Sequence, residues 1–271
     1  MKGEVKISLR GVGKSFITPR AGGSAAEFVA VKGVDLDVYA GEFMVIVGPS
    51  GCGKSTLLDL IAGLERPTYG SILIDGVEVK GPGMDRGLVM QGYALFPWMT
   101  VRANVEFGLE IKRTPRRERE AISSRYLDLV GLSAFADRYP HEISGGMKQR
   151  VAIARALAFD PDVLLMDEPF AALDAQTREL LQEELLSIWE KTKGAVNSAP
   201  KTIVFITHGI DEAVFLGDRV AVMDISPGRI NEVIEVGLRR PRGEARGSEE
   251  FGRLRNRIWR LLRQETLSPG L

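Results

Sequence analysis

The chain has 271 residues, which is enough to bury a large core in one or two domains. Its 36 basic residues balance 36 acidic ones, so no overall field would draw it to nucleic acid or to an anionic membrane. No apolar run reaches the roughly 18 residues of a membrane span, none forms a signal peptide, and the single cysteine precludes an internal disulfide, so we expect a cytosolic chain.

The N-terminal part shows the alternation of apolar and polar side chains that is typical of strands. Residues 5–9 and 29–39 predict antiparallel strands, and residues 17–27 between them predict a loop. Residues 70–76 predict a further strand that ends in an Asp-Gly turn. Phe16 ends the first run, where an aromatic ring either belongs to the core or stacks on a nucleotide base.

Residues 48–55, GPSGCGKS, carry the clearest chemistry and are called the phosphate loop below. An apolar run at 43–47 precedes them and a helical segment at 54–64 follows, which is the context of a phosphate-binding loop. Glycines let the backbone turn sharply and aim its N–H groups at phosphate oxygens, and the following helix adds its positive N-terminal end. The glycines concerned are Gly48, Gly51 and Gly53.

The side chains of the phosphate loop extend this hypothesis. Lys54 would reach the β- and γ-phosphates of a nucleotide, and the Ser55 hydroxyl is placed to ligate magnesium. Cys52 is expected to be a small filler rather than a redox group, because the loop binds phosphate through its backbone N–H groups.

An aromatic segment follows the next predicted strand. Residues 87–90 predict a short strand, and Gln91 follows directly at its end. Residues 93–99, YALFPWM, predict neither a regular strand nor a helix, because a proline interrupts them. Phe96 and Trp98 belong either to the core or to an exposed docking surface.

Residues 101–158 contain no convincing strand pattern. Helices are predicted at 101–112, at 114–130 and at 145–158, from their apolar spacing and their cap residues. The stretch therefore predicts an all-helical insert.

The strand pattern then resumes and alternates with helices. Residues 163–167, 202–207 and 219–224 are apolar runs of the kind expected for buried parallel strands. Helices are predicted at 175–193 and in a short segment that ends at Leu216. This alternation predicts a mostly parallel α/β sheet.

Three segments near the end of the chain have other characters. Residues 193–200 predict an exposed loop, and residues 239–250, which are polar and rich in Gly and Pro, predict a linker. The helix predicted after the linker has an apolar face formed by Phe251, Leu254, Ile258, Leu261 and Leu262. A basic amphipathic helix of this kind either lies on a membrane or docks on its own domain, and we favour docking.

Acidic and imidazole side chains end two of the predicted parallel strands. Ligands of open α/β sheets bind at the carboxyl edge of the strands, so these residues would lie near a bound phosphate. Asp167 is placed to hold a metal through water, Glu168 to polarise an attacking water, and His208 to contact a γ-phosphate.

A second anion-binding element lies in the helical insert. Ser144, Gly145 and Gly146 open a predicted helix and would form an exposed, positively polarised site. One nucleotide needs only one phosphate cradle, so we predict that this turn serves the nucleotide of another copy.

These motifs resemble those of one family, the ATP-binding subunits of ABC transporters. GPSGCGKS resembles its Walker A motif, VLLMDE its Walker B motif and ISGGM its signature, while Gln91, His208 and residues 172–174 stand at its Q-loop, switch histidine and D-loop. Their order and spacing match over about residues 5–235.

The resemblance implies ATP and Mg²⁺ as ligands and a defined set of site residues. Those implied to contact ATP are Phe16, Gly48, Pro49, Ser50, Gly51, Cys52, Gly53, Lys54, Ser55, Thr56, Gln91, Ser144, Gly145, Gly146, Asp174 and His208. Those implied to be catalytic are Lys54, Gln91, Ser144, Glu168 and His208, and the implied metal ligands are Ser55, Gln91 and Asp167.

The fold implied is α/β, a P-loop NTPase core with a mostly parallel sheet, an N-terminal antiparallel β-subdomain and an α-helical subdomain at about 95–160. The ABC ATPase domain would span 1–238, followed by a linker and an amphipathic helix at 239–271. The implied partners are a second copy or a related ATPase subunit in a head-to-tail dimer, transmembrane permease subunits and a solute-binding protein. The chain would then lie peripherally on the cytoplasmic face of the inner membrane.

Longer stretches narrow the resemblance. Residues 95–105, 139–157 and 207–223 are similar to importer subunits for nitrate, sulfonate, taurine and related small oxyanions. Gly209 departs from the Asp usual in that branch, and residues 194–200 form an insertion. The alternatives are a soluble ABC ATPase not coupled to transport, a small-molecule kinase or GTPase, and a binding module without turnover.

Overall fold

The computed structural model describes residues 3–19, 25–193, 201–225 and 227–266, and the chain forms two compact units. The first unit comprises Met1–Gly83 and Thr202–Leu271, and the second comprises Met84–Lys201. The second unit is larger than the predicted helical insert at 95–160, because it also includes two strands and a long helix. The predicted loop at 193–200 lies outside the described residues except for Lys193.

The elements are numbered in chain order. The first unit contains β1 (Val5–Pro19), β2 (Ala25–Tyr39), β3 (Phe43–Val47), α1 (Lys54–Ala62), β4 (Tyr69–Ile74), β5 (Val77–Glu78), β8 (Thr202–Thr207), α6 (Ile210–Leu216), β9 (Arg219–Met223), β10 (Ile230–Glu235) and α7 (Glu249–Thr266). The second unit contains β6 (Arg86–Val89), α2 (Val101–Ile111), α3 (Arg116–Leu129), α4 (Gly145–Ala158), β7 (Val163–Asp167) and α5 (Ala175–Lys193).

The first unit has an antiparallel sheet in the order β2-β1-β4-β5, as the N-terminal alternation predicts. The predicted loop at 17–27 was wrong at both ends, because β1 and β2 continue as a long hairpin. Phe16 pairs with Phe28 and Ile17 with Glu27 in this extension. Phe16 therefore lies within a strand and not at its end.

The other strands of the first unit lie in the order β10-β9-β3-β8. β3 pairs in parallel with both β8 and β9, and every residue of β3 and β8 is buried. Continuous apolar runs form such strands because helices cover both faces. The antiparallel strand β10 has no counterpart in the sequence-based prediction.

In the second unit, β6 and β7 form a parallel pair, and helices α2, α3 and α4 pack on one another. Asn104, which is fully buried on α2, donates its amide N–H groups to the carbonyl oxygens of Phe96, Met99 and Thr100 at 3.0–3.1 Å. One buried amide thus satisfies the backbone of the irregular aromatic segment. This explains how a segment that is neither strand nor helix is fixed.

The tail helix α7 docks on its own unit, as predicted. It contacts α6 and β9, and its Phe251 and Ile258 are buried. The segment before it differs from the predicted linker, because Arg242 is only 3% exposed and donates to the carbonyl oxygens of Val214 and Gly217 at 3.0 and 2.6 Å. Within the described ranges, no helix combines the length and the apolar character needed to cross a bilayer.

Candidate nucleotide-binding site

The phosphate loop joins β3 to α1 through two left-handed glycines. Gly51 has φ +81° and Gly53 has φ +92°, which L-residues with a Cβ rarely adopt. A Cβ on Gly53 would lie 2.7 Å from the carbonyl oxygen of Ala30, whereas one on Gly51 would meet nothing within 4 Å. The loop therefore requires glycine at 53 both for conformation and for space.

Lys54 lies against the inner side of the loop. Its side chain is buried, and its Nζ donates to the carbonyl oxygens of Gly48 at 2.7 Å and Pro49 at 2.8 Å. The ammonium group has three N–H donors. In the described part of the chain, its only other acceptor is the weakly accepting Cys52 sulfur, 3.8 Å from Nζ. A phosphate oxygen would be a much stronger partner for the third donor.

Cys52 is buried completely, and burial raises the pKa of its thiol despite the nearby Lys54 charge. A thiol that stays protonated is a poor nucleophile. A Cβ on Gly48 would lie 2.6 Å from its sulfur, so the thiol fills the space left by that glycine. These observations support the interpretation of Cys52 as a filler.

The strand register of the first unit places His208 at the same sheet edge as the phosphate loop. Val47 of β3 is paired with Thr207 of β8, so Gly48 and His208 leave neighbouring strands at equivalent positions. His208 is exposed. This arrangement agrees with the predicted phosphate contact.

The unusual Gly209 does not loosen the turn after His208. Its φ of −85° and ψ of 113° are open to any residue, and its N–H donates to the Thr207 hydroxyl at 2.9 Å. The same hydroxyl is hydrogen-bonded to Glu212 in the first turn of α6. These bonds close the turn without an aspartate at 209.

The second unit brings together a separate group of predicted residues. Val89 of β6 is paired with Met166 of β7, so Gln91 and the acidic pair Asp167 and Glu168 follow the same edge. Glu168 has a positive φ of 46°. A left-handed carboxylate residue is strained, and such strain is concentrated at functional sites.

The turn at residues 143–147, called the signature turn below, presents the N-terminus of α4. Ser144 is the N-cap residue, and its hydroxyl accepts a hydrogen bond from the N–H of Met147 at 3.3 Å. Ser144 and Gly145 are both exposed. The helix start is therefore open to solvent, as the prediction of an exposed anion site requires.

Asp174 has a structural task at the start of α5 that its motif did not predict. Its carboxylate accepts from the N–H of Thr177 at 3.0 Å in the first turn of α5. Hydrogen bonds from Thr177 hold the pKa of Asp174 below its ordinary value. A role in nucleotide binding stays a prediction.

Two aromatic rings stand on the extended β1–β2 hairpin. Phe16 is 38% exposed, Phe28 is 53% exposed, and the Lys14 ammonium lies 5.0 Å from the Phe16 ring centroid. Phe28 was not predicted to lie in a strand, because the second strand was predicted to begin only at residue 29. The apolar run Phe28, Val29 and Ala30 was the available signal for an earlier start of the strand.

A family model described as ABC transporter matches residues 31–171. An uncharacterised ABC transporter ATP-binding protein of Methanocaldococcus jannaschii is 55% identical over 88% of this chain and 86% of its own length. The nitrate import ATP-binding protein NrtD of a Synechocystis strain is 53% identical over 80% of this chain and 79% of its own.

Solved structures agree with the sequence relatives. The ATP-binding cassette MJ0796, in a dimeric post-hydrolysis state with ADP and Pi, matches with a TM-score of 0.74 and 33% identity over 86% of this chain and all of the other. The phosphate loop, the strand-edge acids and the signature turn thus occur in a chain whose sequence and fold both match ABC cassettes. The chain belongs to the ABC transporter family, as an ATP-binding subunit with the ATPase fold of that family.

Proposed function

We propose that this subunit hydrolyses ATP to drive the import of a small oxyanion, of the class that includes nitrate, sulfonates and taurine. The single observation that supports the class is the 53% identity to the nitrate import protein, over most of both chains. The proposal places the subunit on the cytoplasmic face of the membrane with permease subunits and a solute-binding protein.

The working unit would be a head-to-tail pair. The signature turn is exposed, while Lys54 lies in the other unit of the fold, and an ABC cassette similar to this chain forms a dimer with ADP and Pi. A two-fold pair gives each copy the same two roles, because its interface is isologous. Each ATP would then be held by Lys54 of one copy and by Ser144–Gly146 of the other.

Hydrolysis would proceed by direct attack of water on the γ-phosphorus, without a covalent enzyme intermediate. Glu168 orients and polarises the water, and His208 contacts the γ-phosphate. Lys54 and the N-terminus of α4 stabilise the negative charge that spreads over the phosphate oxygens in the transition state. Loss of the γ-phosphate would release the two copies.

The oxygen donors of the predicted metal ligands fit Mg²⁺. Ser55 offers a hydroxyl, Gln91 an amide oxygen and Asp167 a carboxylate, which are hard ligands. Among the described residues no group of three or more His, Cys, Asp or Glu side chains could hold a metal, and Mg²⁺ is commonly bound by one or two carboxylates together with substrate phosphates. When bound, the ion would neutralise charge on the β- and γ-phosphates.

The aromatic segment is the candidate contact with the permease. Phe96 packs on Phe107, with ring centroids 4.5 Å apart, whereas Trp98 is 69% exposed. Trp98 is thus the accessible anchor, and Phe96 supports it from a centroid distance of 5.6 Å. In affinity purification of the chain, Trp98→Ala should lose the membrane subunit, and Trp259→Ala, another exposed tryptophan, should retain it; equal recovery would reject the contact.

Phosphate release and dimer formation test the enzymatic part of the proposal. Lys54→Ala should lower turnover by on the order of a hundred- to a thousandfold, because it removes a charge that stabilises the transition state. Glu168→Gln should turn over slowly and trap an ATP-bound dimer, measurable by light scattering. Glu168→Gln that hydrolyses ATP at the wild-type rate would refute the assignment of the water-polarising residue.

Uptake measurements test the solute class separately. Cells that lack the chain should lose uptake of labelled nitrate, taurine or an alkanesulfonate, and the wild-type chain should restore it while Lys54→Ala should not. If cells that lack the chain still take up all three solutes normally, although the purified chain hydrolyses ATP, the oxyanion class is rejected. An ATPase with another task is then favoured.

A further inference from the structure

The segment that follows Gln91 contains an unusual backbone. Tyr93 has φ 61° and Ala94 has φ 46°, so two consecutive residues with side chains are left-handed. Local hydrogen bonds run from the Tyr93 N–H to the Met90 carbonyl at 3.2 Å and from the Ala94 N–H to the Gly92 carbonyl at 2.7 Å. Such a conformation persists only when surrounding contacts hold it.

Arg155, in the last turn of α4, supplies those contacts. Its Nη1 donates to the Ala94 carbonyl at 2.7 Å and its Nη2 to the Tyr93 carbonyl at 3.1 Å. The guanidinium carbon also lies 5.7 Å from the Phe96 ring centroid. The planar fork of the guanidinium therefore holds both strained residues from one side chain.

The environment of Arg155 is unusual for an arginine. Burial lowers the pKa of its guanidinium, and in the described part of the chain no carboxylate pairs with it. Arginine stays charged in proteins, so its cation is stabilised here by the carbonyl oxygens of the segment after Gln91. A half-buried charge with these partners depends on their position.

The Tyr93 hydroxyl also lies near the opposite end of the same helix. A Cβ on Gly145, in the signature turn, would lie 3.2 Å from the Tyr93 hydroxyl oxygen. Helical side chains lean towards the N-terminus, so Arg155 reaches back along α4 and Tyr93 lies beside the helix between the two contacts. The strained segment is thus held by Arg155 near the C-terminal end of α4, and its Tyr93 side chain extends to the vicinity of Gly145 at the other end.

We propose that Arg155 and Tyr93 are positioning residues that couple the segment after Gln91 to the signature turn. A displacement of Gln91 would be transmitted along α4 to Ser144, so the contacts predicted for the two nucleotides would form together. The inference rests on the proposed function, because it assumes that Gln91 and Ser144 each face a nucleotide.

Hydrogen exchange of the isolated chain tests the contact itself. Arg155→Ala, and to a smaller extent Arg155→Lys, should raise amide exchange in residues 91–96 and also in the signature turn. Arg150→Ala is the matched control: Arg150 lies on the same helix and donates to the Val130 carbonyl at 2.8 Å, without a contact to the strained segment. Its effect should be confined to the region around residue 130, and an equal effect of both alanine variants on residues 91–96 would overturn the proposal.

Kinetics and dimer formation test the coupling. Arg155→Ala should lower kcat by about ten- to a hundredfold, the scale of a misplaced catalytic geometry, and weaken the ATP-bound dimer of Glu168→Gln, while the affinity of the single chain for ATP stays within about twofold. Tyr93→Phe should show a smaller loss of the same kind. Full kcat and a normal dimer in Arg155→Ala would refute the coupling, whereas absence of hydrolysis and of a dimer in the parent proteins would refute the proposed function and the inference with it.

Discussion

Under the proposed function, the phosphate loop and the signature turn both present a helix N-terminus to phosphate, but the two elements are held in different ways. Cys52 and Lys54 on the inner side of the phosphate loop are buried, and Gly53 lies against the Ala30 carbonyl, while Ser50, Gly51 and Ser55 are exposed. Ser144 of the signature turn is exposed, and its own hydroxyl caps α4 by accepting from the Met147 N–H. One element is fixed by close packing, and the other is left accessible to a second molecule.

The largest effect is expected where the packing of the phosphate loop is tightest. Gly53→Ala and Gly51→Ala both place a Cβ on a left-handed residue, at a shared cost of about 1–2 kcal/mol. Only Gly53→Ala also meets a backbone carbonyl, at 2.7 Å. We expect Gly53→Ala to lower ATP affinity by on the order of a hundredfold, and Gly51→Ala by about tenfold or less.

Titration with a fluorescent ATP analogue, together with thermal unfolding, measures both effects. If the two variants bind ATP equally well, the loss of affinity comes from conformational strain alone. The close contact of residue 53 with the Ala30 carbonyl then makes no contribution.

Gly228 tests the packing of the phosphate loop without conformational strain, because its φ is not positive. A Cβ there would lie 2.1 Å from the Cys52 carbonyl oxygen and 2.8 Å from that of Ala30. Gly228→Ala should therefore displace the loop and weaken ATP binding by roughly tenfold or more. Gly252→Ala, in α7 with nothing within 4 Å, should bind ATP normally and be as stable as the parent or more so; matching losses in both would contradict the packing argument.

The signature turn should respond differently, because its packing is not at stake. Ser144→Ala removes one N-cap, worth about 1 kcal/mol of stability, and under the proposed function it also lowers turnover by about tenfold or more. Thr100→Ala removes the equivalent cap of α2, where the Thr100 hydroxyl accepts from the Ala103 N–H at 3.2 Å. Its unfolding temperature should fall to a similar extent while phosphate release stays normal; a parallel loss of turnover in Thr100→Ala would mean that Ser144 acts through stability alone.

The elements that sequence patterns predicted best are those whose signal is local. Strands β7 and β8 and helices α4 and α5 have the predicted bounds, because a run apolar on both faces and a capped helical repeat are each defined within one segment. The positions of the phosphate loop and the signature turn follow from the same short-range patterns.

The features that were missed depend on contacts between distant segments. The hairpin extension at Phe16 and Phe28 needs a partner strand, and β10 forms because β9 offers it an edge. Arg155 and Gly228 carry no motif of their own. Their tasks appear only when folding brings them to Ala94 and Cys52, respectively.

The smallest expected effect is a dependence of thermal stability on pH, which we expect near the signature turn and not at the phosphate loop. Glu142, just before the signature turn, accepts from the Tyr139 N–H at 2.7 Å, and this bond holds the pKa of its carboxyl below its ordinary value. A carboxyl whose pKa is lower in the folded chain stabilises the fold above its unfolded pKa of about 4.3, and the contribution is lost as the pH falls through the folded pKa. Glu142→Gln should therefore lower Tm by about one or two degrees at pH 7, and the difference should shrink below about pH 4.

Thermal unfolding of both proteins between neutral and acid pH measures this difference. Glu183→Gln is the control, because Glu183 is exposed on α5 and has no hydrogen bond or ion pair within the described ranges, so its Tm difference should stay near zero throughout. A Glu142→Gln difference that persists unchanged into acid would show that the carboxylate charge does not hold the turn. The Glu142 cap before the signature turn would then be independent of pH, as the buried backbone contacts of the phosphate loop are. The two elements would then differ only in their exposure.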